Sequence, residues 1–443
     1  MPGISYYDLR HVTGQVTHID IDNGVVESAG TSFFNKAVLR VLKNAGWGVL
    51  QIDNYIPGNK SDFKELLEEA SHLAGITGEI VTLGNAPRGV LTVPPMKEDP
   101  RNVSIEEKSS LLAGIETAAT HSEVVNRRAN YVERIEQVQF SDSSGNEHSF
   151  EMCRSGFNVL AVASRNGNVQ MGYEREHSIH GFNLRHQQDL GRKAAEIAVA
   201  LLDAKPAKGG KMHAVLDPEL AGVFAHEAVG HASEGDLISE GNSVLKGRTG
   251  EKIGNEILTI VDDPGLHEFG FDPVDAEGSA VHRTEIIRKG IVNEFLHSRE
   301  SLARVGNGVA GHARAMPGEP PLVRMSNTFI EAGDATEDEI FEECKNGIFL
   351  KGSRGGQVDP GRGIFQFNAE YGYLIENGER KAMVRDVSLS GEILTTLHGI
   401  VLCGNDRRMS PGYCGKGGQS VPVSDGAPHV LLLDAVVGGS GVD

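Results

Sequence analysis

The stretch Tyr131–Ser155, YVERIEQVQFSDSSGNEHSFEMCRS, alternates apolar and polar side chains on both sides of Ser143–Asn146. A period of two around a turn signal reads as an antiparallel hairpin with one buried face. The next stretch, GFNVLAVASRNGNVQMGYER, repeats the pattern around Asn166–Asn168, so three or four antiparallel strands are expected from Tyr131 onward. Upstream, His11–Ser28 alternates around the turn residues 22–24 and reads as another hairpin. Helical spacing is found at Lys36–Lys43, at Ser61–Leu73 with Ser61 as its N-cap, and at Gln187–Ala204. Ser104–Ala119 also reads as a helix, opened by Ser104 with Glu107 three residues on, the pattern of a capping box. Pro87–Pro100 reads as a crossing loop.

Beyond the breaker KPAKGG (205–210) the character changes to short strands and many glycines. Hairpins are expected at Lys289–Gly290 and Asn377–Gly378, a strand over His429–Val437, and helices only at Pro218–Ser233 and Ser298–Val305. The fold class is therefore α+β. Residues 1–205 form an N-terminal α/β domain of antiparallel strands and helices. Residues 206–443 form a mostly antiparallel, barrel-like β domain carrying an irregular helix. No internal repeat or low-complexity tract is found.

The 443 residues include 61 acidic against 42 basic side chains, a formal charge of −19. That balance disfavours a nucleic-acid partner, which needs a basic face to displace counterions, and an anionic membrane surface for the same reason. No signal peptide or apolar run of spanning length is read, and four cysteines suit a reducing compartment, so a cytoplasmic location is expected.

The chemistry concentrates in Asp217–Asp236, DPELAGVFAHEAVGHASEGD. Asp217 is suited to cap a helix and Pro218 to start it. Two histidines four apart share a helix face, but His226 and His231 are five apart, about 140° around a regular helix. They converge on one metal only if the helix widens into a π-type turn or ends near 228–231, where Gly230 tolerates distortion. Glu227 would then act as general base on a metal-bound water. A third ligand is needed, for which Cys403, Cys414, His282, His297, His312, His398, Glu234, Asp236 and Glu277 are all candidates. Cys414 stands out because Met409–Gln419 looks like an exposed glycine loop, whereas Cys153, Cys344 and Cys403 read as small core residues.

HEAVGHASEGD (226–236), FDPVDAEG (271–278), GGQVDPGRGIFQF (355–367), YLIENGE (373–379) and PGYCGKGGQSVPVSDGAP (411–428) together resemble the TldD/PmbA family of metalloproteases, in the family's order. The N-terminal region resembles the family more loosely, through NAGWGVLQIDN (44–54) and the helix before Pro206. The resemblance implies a zinc-dependent peptidase acting on unfolded or extended peptides, with one Zn2+ per chain held by His226, His231 and Cys414 and Glu227 as base. It implies the HExxxH-bearing, TldD-like subunit, as a homodimer or paired with a PmbA/TldE-like subunit. Family chains often begin with a helix ahead of the first hairpin, which this chain lacks, so a shorter, divergent member is expected.

Around that site, Tyr413 and His398 are candidate substrate-binding residues that would share in stabilising the oxyanion. Gly352–Gly363 is a candidate wall of the cleft, and an exposed strand edge would pair with substrate backbone. Two other readings stand beside this one: a cysteine-nucleophile hydrolase using Cys414, and a non-catalytic zinc-bearing subunit of a heterodimer.

Overall fold

The computed structural model describes residues 3–74, 76 and 80–441. The chain opens with two 19-residue strands, β1 (Ile4–Asp22) and β2 (Val25–Lys43), then β3 (Gly46–Asp53) and helix α1 (Lys60–Leu73). After helix α2 (Ile105–Ala118) the pattern recurs: β4 (Val124–Asp142) and β5 (Glu147–Arg165), again 19 residues each, then β6 (Asn168–Ser178) and helix α3 (Gln188–Asp203). The six strands form one antiparallel sheet ordered β3-β2-β1-β4-β5-β6, so the two halves are related by a pseudo-twofold axis between β1 and β4. The hairpins read from the sequence are present, and the repetition of shape has no counterpart in a sequence repeat.

Alternation assigns the faces. Tyr7, Leu9, Ile19 and Ile21 of β1 lie on the face covered by the helices, packing with residues such as Leu67, Ile115 and Ala198. Asp8 and Arg10 of β1 lie on the other face, toward the C-terminal half. There Arg40 of β2 sits 2.5 Å from Asp8 and 3.2 Å from Glu277, with both partners buried, and ties the two halves together.

Lys36–Lys43 is not helical; it is the end of β2. Residues 37–42 are buried on both faces, Leu39 and Val41 under α1 and Arg40 against the C-terminal half. A strand covered on both sides loses the alternation that would reveal it. The cap of α1 is Asn59 rather than Ser61: its Oδ1 accepts from the N–H groups of Ser61 and Asp62. Ser104 does cap α2 through Glu107 N–H, but the Glu107 carboxylate reaches Arg185 instead of closing a box.

The C-terminal half is not a barrel. It holds an open six-stranded sheet and an open ten-stranded sheet, each with free edges. Three strand pairs are parallel, Asn327–Ile330 with Gln419–Ala427 among them, so the half is mixed rather than simply antiparallel. The sequence reading also passed over helices at Gly235–Glu240, Glu337–Cys344 and Ile393–Gly399. Helix α4 (Pro218–Phe224) and the turns after it are sandwiched between the two sheets. Leu220, Phe224, Ala228 and Val229 pack there with Val421, Val423, Phe365 and Phe367.

Two glycines set how closely helices lie on the N-terminal sheet. A Cβ on Gly48 of β3 would stand 1.8 Å from the Ala70 carbonyl oxygen of α1, and one on Gly172 of β6 would stand 1.9 Å from that of Ala194 in α3. Gly172→Ala should lower stability by about 1–3 kcal/mol because backbone, not a flexible side chain, must yield. Gly114→Ala in α2 meets only Gln188 Nε2 at 3.8 Å and should stabilise by roughly 0.5–1 kcal/mol. Urea unfolding of the two variants checks the opposite signs.

Candidate metal centre

Asp217 caps α4 through Leu220 N–H and Pro218 occupies its first turn. The helix then widens: Ala225–Gly230 is a π-turn, closed by a hydrogen bond from His231 N–H to the His226 carbonyl, and a 3₁₀ turn follows at His231–Ser233. That bond spans five residues, so it brings His231 one turn above His226. The helix is irregular where histidines five apart require it to be. Gly230 matters for a different reason from the one expected. Its φ of −56° is ordinary, but a Cβ there would lie 2.0 Å from Met325 Sδ.

The two imidazole rings stand 5.4 Å apart and nearly perpendicular. Cys414 Sγ lies 3.6 Å from His231 Nε2, and one donor atom from each of His226, His231 and Cys414 lies within 4.8 Å of the others. Tetrahedral zinc with ordinary Zn–S and Zn–N bonds separates its sulfur and nitrogen donors by about 3.6 Å. A thiolate, two imidazoles and that spacing fit such an ion. Glu227, on the same π-turn, brings its carboxylate within 3.7 Å of His231 Nε2.

Cys414 is not in a loop. It lies on the strand Arg408–Lys416, 5% exposed, opposite Val421 in a hairpin whose turn is Gly417–Gly418. Arg324, fully buried, donates to the carbonyls of Cys414 and Gln419 and so fixes the end of the hairpin that carries Cys414. Both histidines are held from behind by carboxylates. His226 Nδ1 lies 2.6 Å from Asp425 Oδ1, and His231 Nδ1 lies 3.1 Å from Glu234 Oε2. Lys416 Nζ in turn sits 3.2 Å from Glu234 and 2.6 Å from Asp236.

The electrostatics follow. Burial pushes the Cys414 thiol up, but the two histidines more than reverse this and bring it down to about 5. Burial pushes His231 down, while Cys414 and Glu234 raise it to about 9. Burial holds the Glu227 carboxyl above its usual value, only partly opposed by the histidines. Glu234 is lowered: burial opposes its charge, and His231 and Lys416 overcome that.

Of the other third-ligand candidates, Glu234 and Asp236 are bound up with Lys416, and Glu277 pairs with Arg40. His282 faces Glu294, His297 faces Ser301, His312 joins Thr284 and Asp262, and Cys403 is core. Tyr413, 57% exposed, packs against Phe269 and His177, with its side chain on the opposite face of the strand from Cys414. His398 is exposed on the helix Ile393–Gly399, where its carbonyl accepts from Asn255; among the described residues no contact links it to the trio. Asp425 and Arg324 were missed by sequence reasoning. The signal for Asp425 was available, since metal-ligating histidines usually give their second nitrogen to a carboxylate.

Comparison with known proteins places the chain among metallopeptidases. Family profiles described as PmbA/TldA metallopeptidase domain 1, central domain and C-terminal domain match residues 7–74, 98–202 and 209–439. The chain belongs to the PmbA/TldD family. It is 39% identical to a metalloprotease of Methanothermobacter thermautotrophicus, over 99% of this chain and 96% of that one. It is 31% identical to a zinc metalloprotease TldD homolog of Saccharolobus solfataricus, over 99% and 97%. Among solved structures, a Thermotoga maritima protein described as a candidate modulator of a DNA gyrase shares the fold, with a TM-score of 0.81 at 21% identity, covering 98% of this chain and 96% of that one. TldE from Thermococcus kodakarensis superposes with a TM-score of 0.71 at 18% identity, covering 97% of each.

Asp425→Ala removes the carboxylate behind His226. It should weaken metal retention by about 10–100-fold, read by competition against a chromophoric chelator, while the circular dichroism spectrum stays that of the parent.

Proposed function

We propose that the chain is a zinc-dependent peptidase that hydrolyses unfolded or extended peptides, with His226, His231 and Cys414 holding the ion and Glu227 as general base. The observation that carries this reading is the meeting of three such donors with a carboxylate that no donor site requires. A purely structural zinc site has no use for Glu227. Bound there, zinc polarises a carbonyl and acidifies water. Glu227 accepts the proton of the attacking water and delivers it to the departing amine, work suited to a carboxyl whose affinity for protons burial has raised. Asp425 and Glu234 keep the two imidazoles oriented throughout.

The strand Arg408–Lys416 is an edge of the six-stranded sheet. Tyr413 stands opposite Pro422, which has no N–H and whose carbonyl accepts from Arg314. The N–H and carbonyl of Tyr413 therefore face outward, away from the hairpin. This supports pairing of an extended substrate with that edge, one residue from Cys414, a recognition mode that reads backbone rather than sequence. Tyr413 is our proposed substrate contact on these grounds, and His398 receives no role.

We read residues 1–205 and 206–443 as the two working units, and a second copy or a PmbA/TldE-like subunit as the partner. Cys414 facing His231 also suits a nucleophilic cysteine, so the assay must separate the two. Alkylation of Cys414 that is blocked only while metal is bound favours ligation; alkylation indifferent to a chelator favours the nucleophile.

Elemental analysis should find about one zinc per chain. Glu227→Gln should retain it while peptide cleavage falls by about 10²–10⁴-fold. Cys414→Ser should lose the metal to mild chelation. Undiminished cleavage by Glu227→Gln removes that residue from its role.

A further inference from the structure

A cavity of about 130 Å³ lies between the N-terminal sheet and the C-terminal half, and the reaction proposed above makes no use of it. It has far more room than the roughly 10–15 Å³ a single water needs. Its walls follow from strand alternation. Even-numbered side chains of β1, β4 and β5 point to this side of the sheet, which brings Arg10, Arg134 and Arg154 together; Arg314 closes it from the C-terminal half.

The charges in this cavity do not balance. Four guanidinium groups face three carboxyl groups, Glu136, Asp272 and Asp275, and burial beside Glu277 pushes Asp275 well above the usual carboxyl range. Arg154 and Arg314 share Asp272, at 2.9 and 2.7 Å, and each also donates to backbone carbonyls. Arg134 reaches Glu136 at 3.3 Å. Among the described residues Arg10 donates only to the Met316 carbonyl, at 3.3 Å, and no carboxylate lies within ion-pair distance of it. A guanidinium carries five N–H donors in a planar fork that matches a carboxylate. Arg10 is thus partly buried on the cavity wall with most of that fork unused by the protein. In a chain of net charge −19, such a positive cavity is a local exception.

Its position relative to the metal centre is set by one strand. Tyr413 lines the cavity, and Cys414, the next residue, points to the opposite face toward the histidines. A peptide paired with the edge of Arg408–Lys416 alternates in the same way, one set of side chains toward the histidines and the other toward the arginines.

We propose that this cavity is a subsite for a carboxylate of the peptide substrate, held by Arg10 with Arg134 beside it, so that the enzyme favours peptides carrying an acidic group at the position that falls over Tyr413. The carboxylate comes from an acidic side chain or from the peptide's own C-terminus. The inference rests on the peptidase reading, and the test separates the two.

The probes are four versions of one extended peptide: Glu with an amidated C-terminus, Gln amidated, Lys amidated, and Gln with a free C-terminal carboxylate. Values of kcat/KM are measured for the zinc-loaded parent, Arg10→Gln and Arg134→Gln. Binding of the same peptides to Glu227→Gln, with and without Arg10→Gln, is measured by calorimetry. The expected result is a preference of about tenfold for one carboxylate peptide over its neutral isostere, collapsing toward unity in Arg10→Gln and shrinking in Arg134→Gln. Preference for the Glu peptide assigns the subsite to a side chain, and preference for the free C-terminus assigns it to the chain end. Parent activity without any carboxylate preference, a preference for the Lys peptide, or a ratio unchanged in both arginine variants overturns the subsite and leaves the peptidase reading standing. If no peptide is cleaved, the peptidase reading fails and calorimetry alone decides: selective, Arg10-dependent binding of a carboxylate peptide supports the subsite, and its absence overturns it. Should Arg10→Gln lose the parent's circular dichroism, the Arg134→Gln ratios decide instead.

Discussion

One hydrogen bond, from His231 N–H to the carbonyl of His226, sets the geometry around which the C-terminal half is arranged. A regular helix would turn the two imidazoles away from each other. The wider turn is the less stable local conformation, and it is held because both sheets press on it: Phe224, Ala228 and Val229 are buried against strands on either side. Met325 occupies the space that a side chain on residue 230 would need. The packing of the core thus fixes a distortion that the backbone would not choose alone.

Around that turn the polar groups form a graded series. The three donors face one another, Asp425 and Glu234 hold the histidines, and Lys416 holds Glu234. Arg324 anchors the strand that carries the sulfur. Each outer group limits the freedom of the next one in, which is how a site made from a helix and a distant strand keeps its spacing. Glu227 stands outside the series; of these side chains it is the one left 30% exposed beside the histidines.

Much of this was legible from residue order. Asp-Asn-Gly at 22–24, Asn166–Asn168 and Asn377–Gly378 mark real turns because positive φ there demands those residue types. The five-residue spacing of the histidines required an irregular helix, and the structure has one. What was hidden depends on contacts between distant segments. The end of β2 looked helical because both its faces are covered, and the strand bearing Cys414 looked like a loop because its proline and glycines are strand residues only at an edge. The barrel expectation failed because turn spacing records strand count, not whether the sheet closes. The pseudo-twofold of the N-terminal sheet left no trace in sequence, since the two halves share lengths and pairings rather than residues.

An edge strand open to a peptide is equally open to another copy of itself, the usual route to aggregation. The strand Arg408–Lys416 is protected by its own composition. Pro411 offers no N–H, and its carbonyl is already taken by Arg175, while the exposed Arg408 places a charge at one end. The stretch left open is only a few residues long, too little to template a growing sheet, and the net charge of −19 repels identical neighbours. On the proposed peptidase reading, the same brevity would keep a guest strand's grip weak and let cleaved fragments leave quickly.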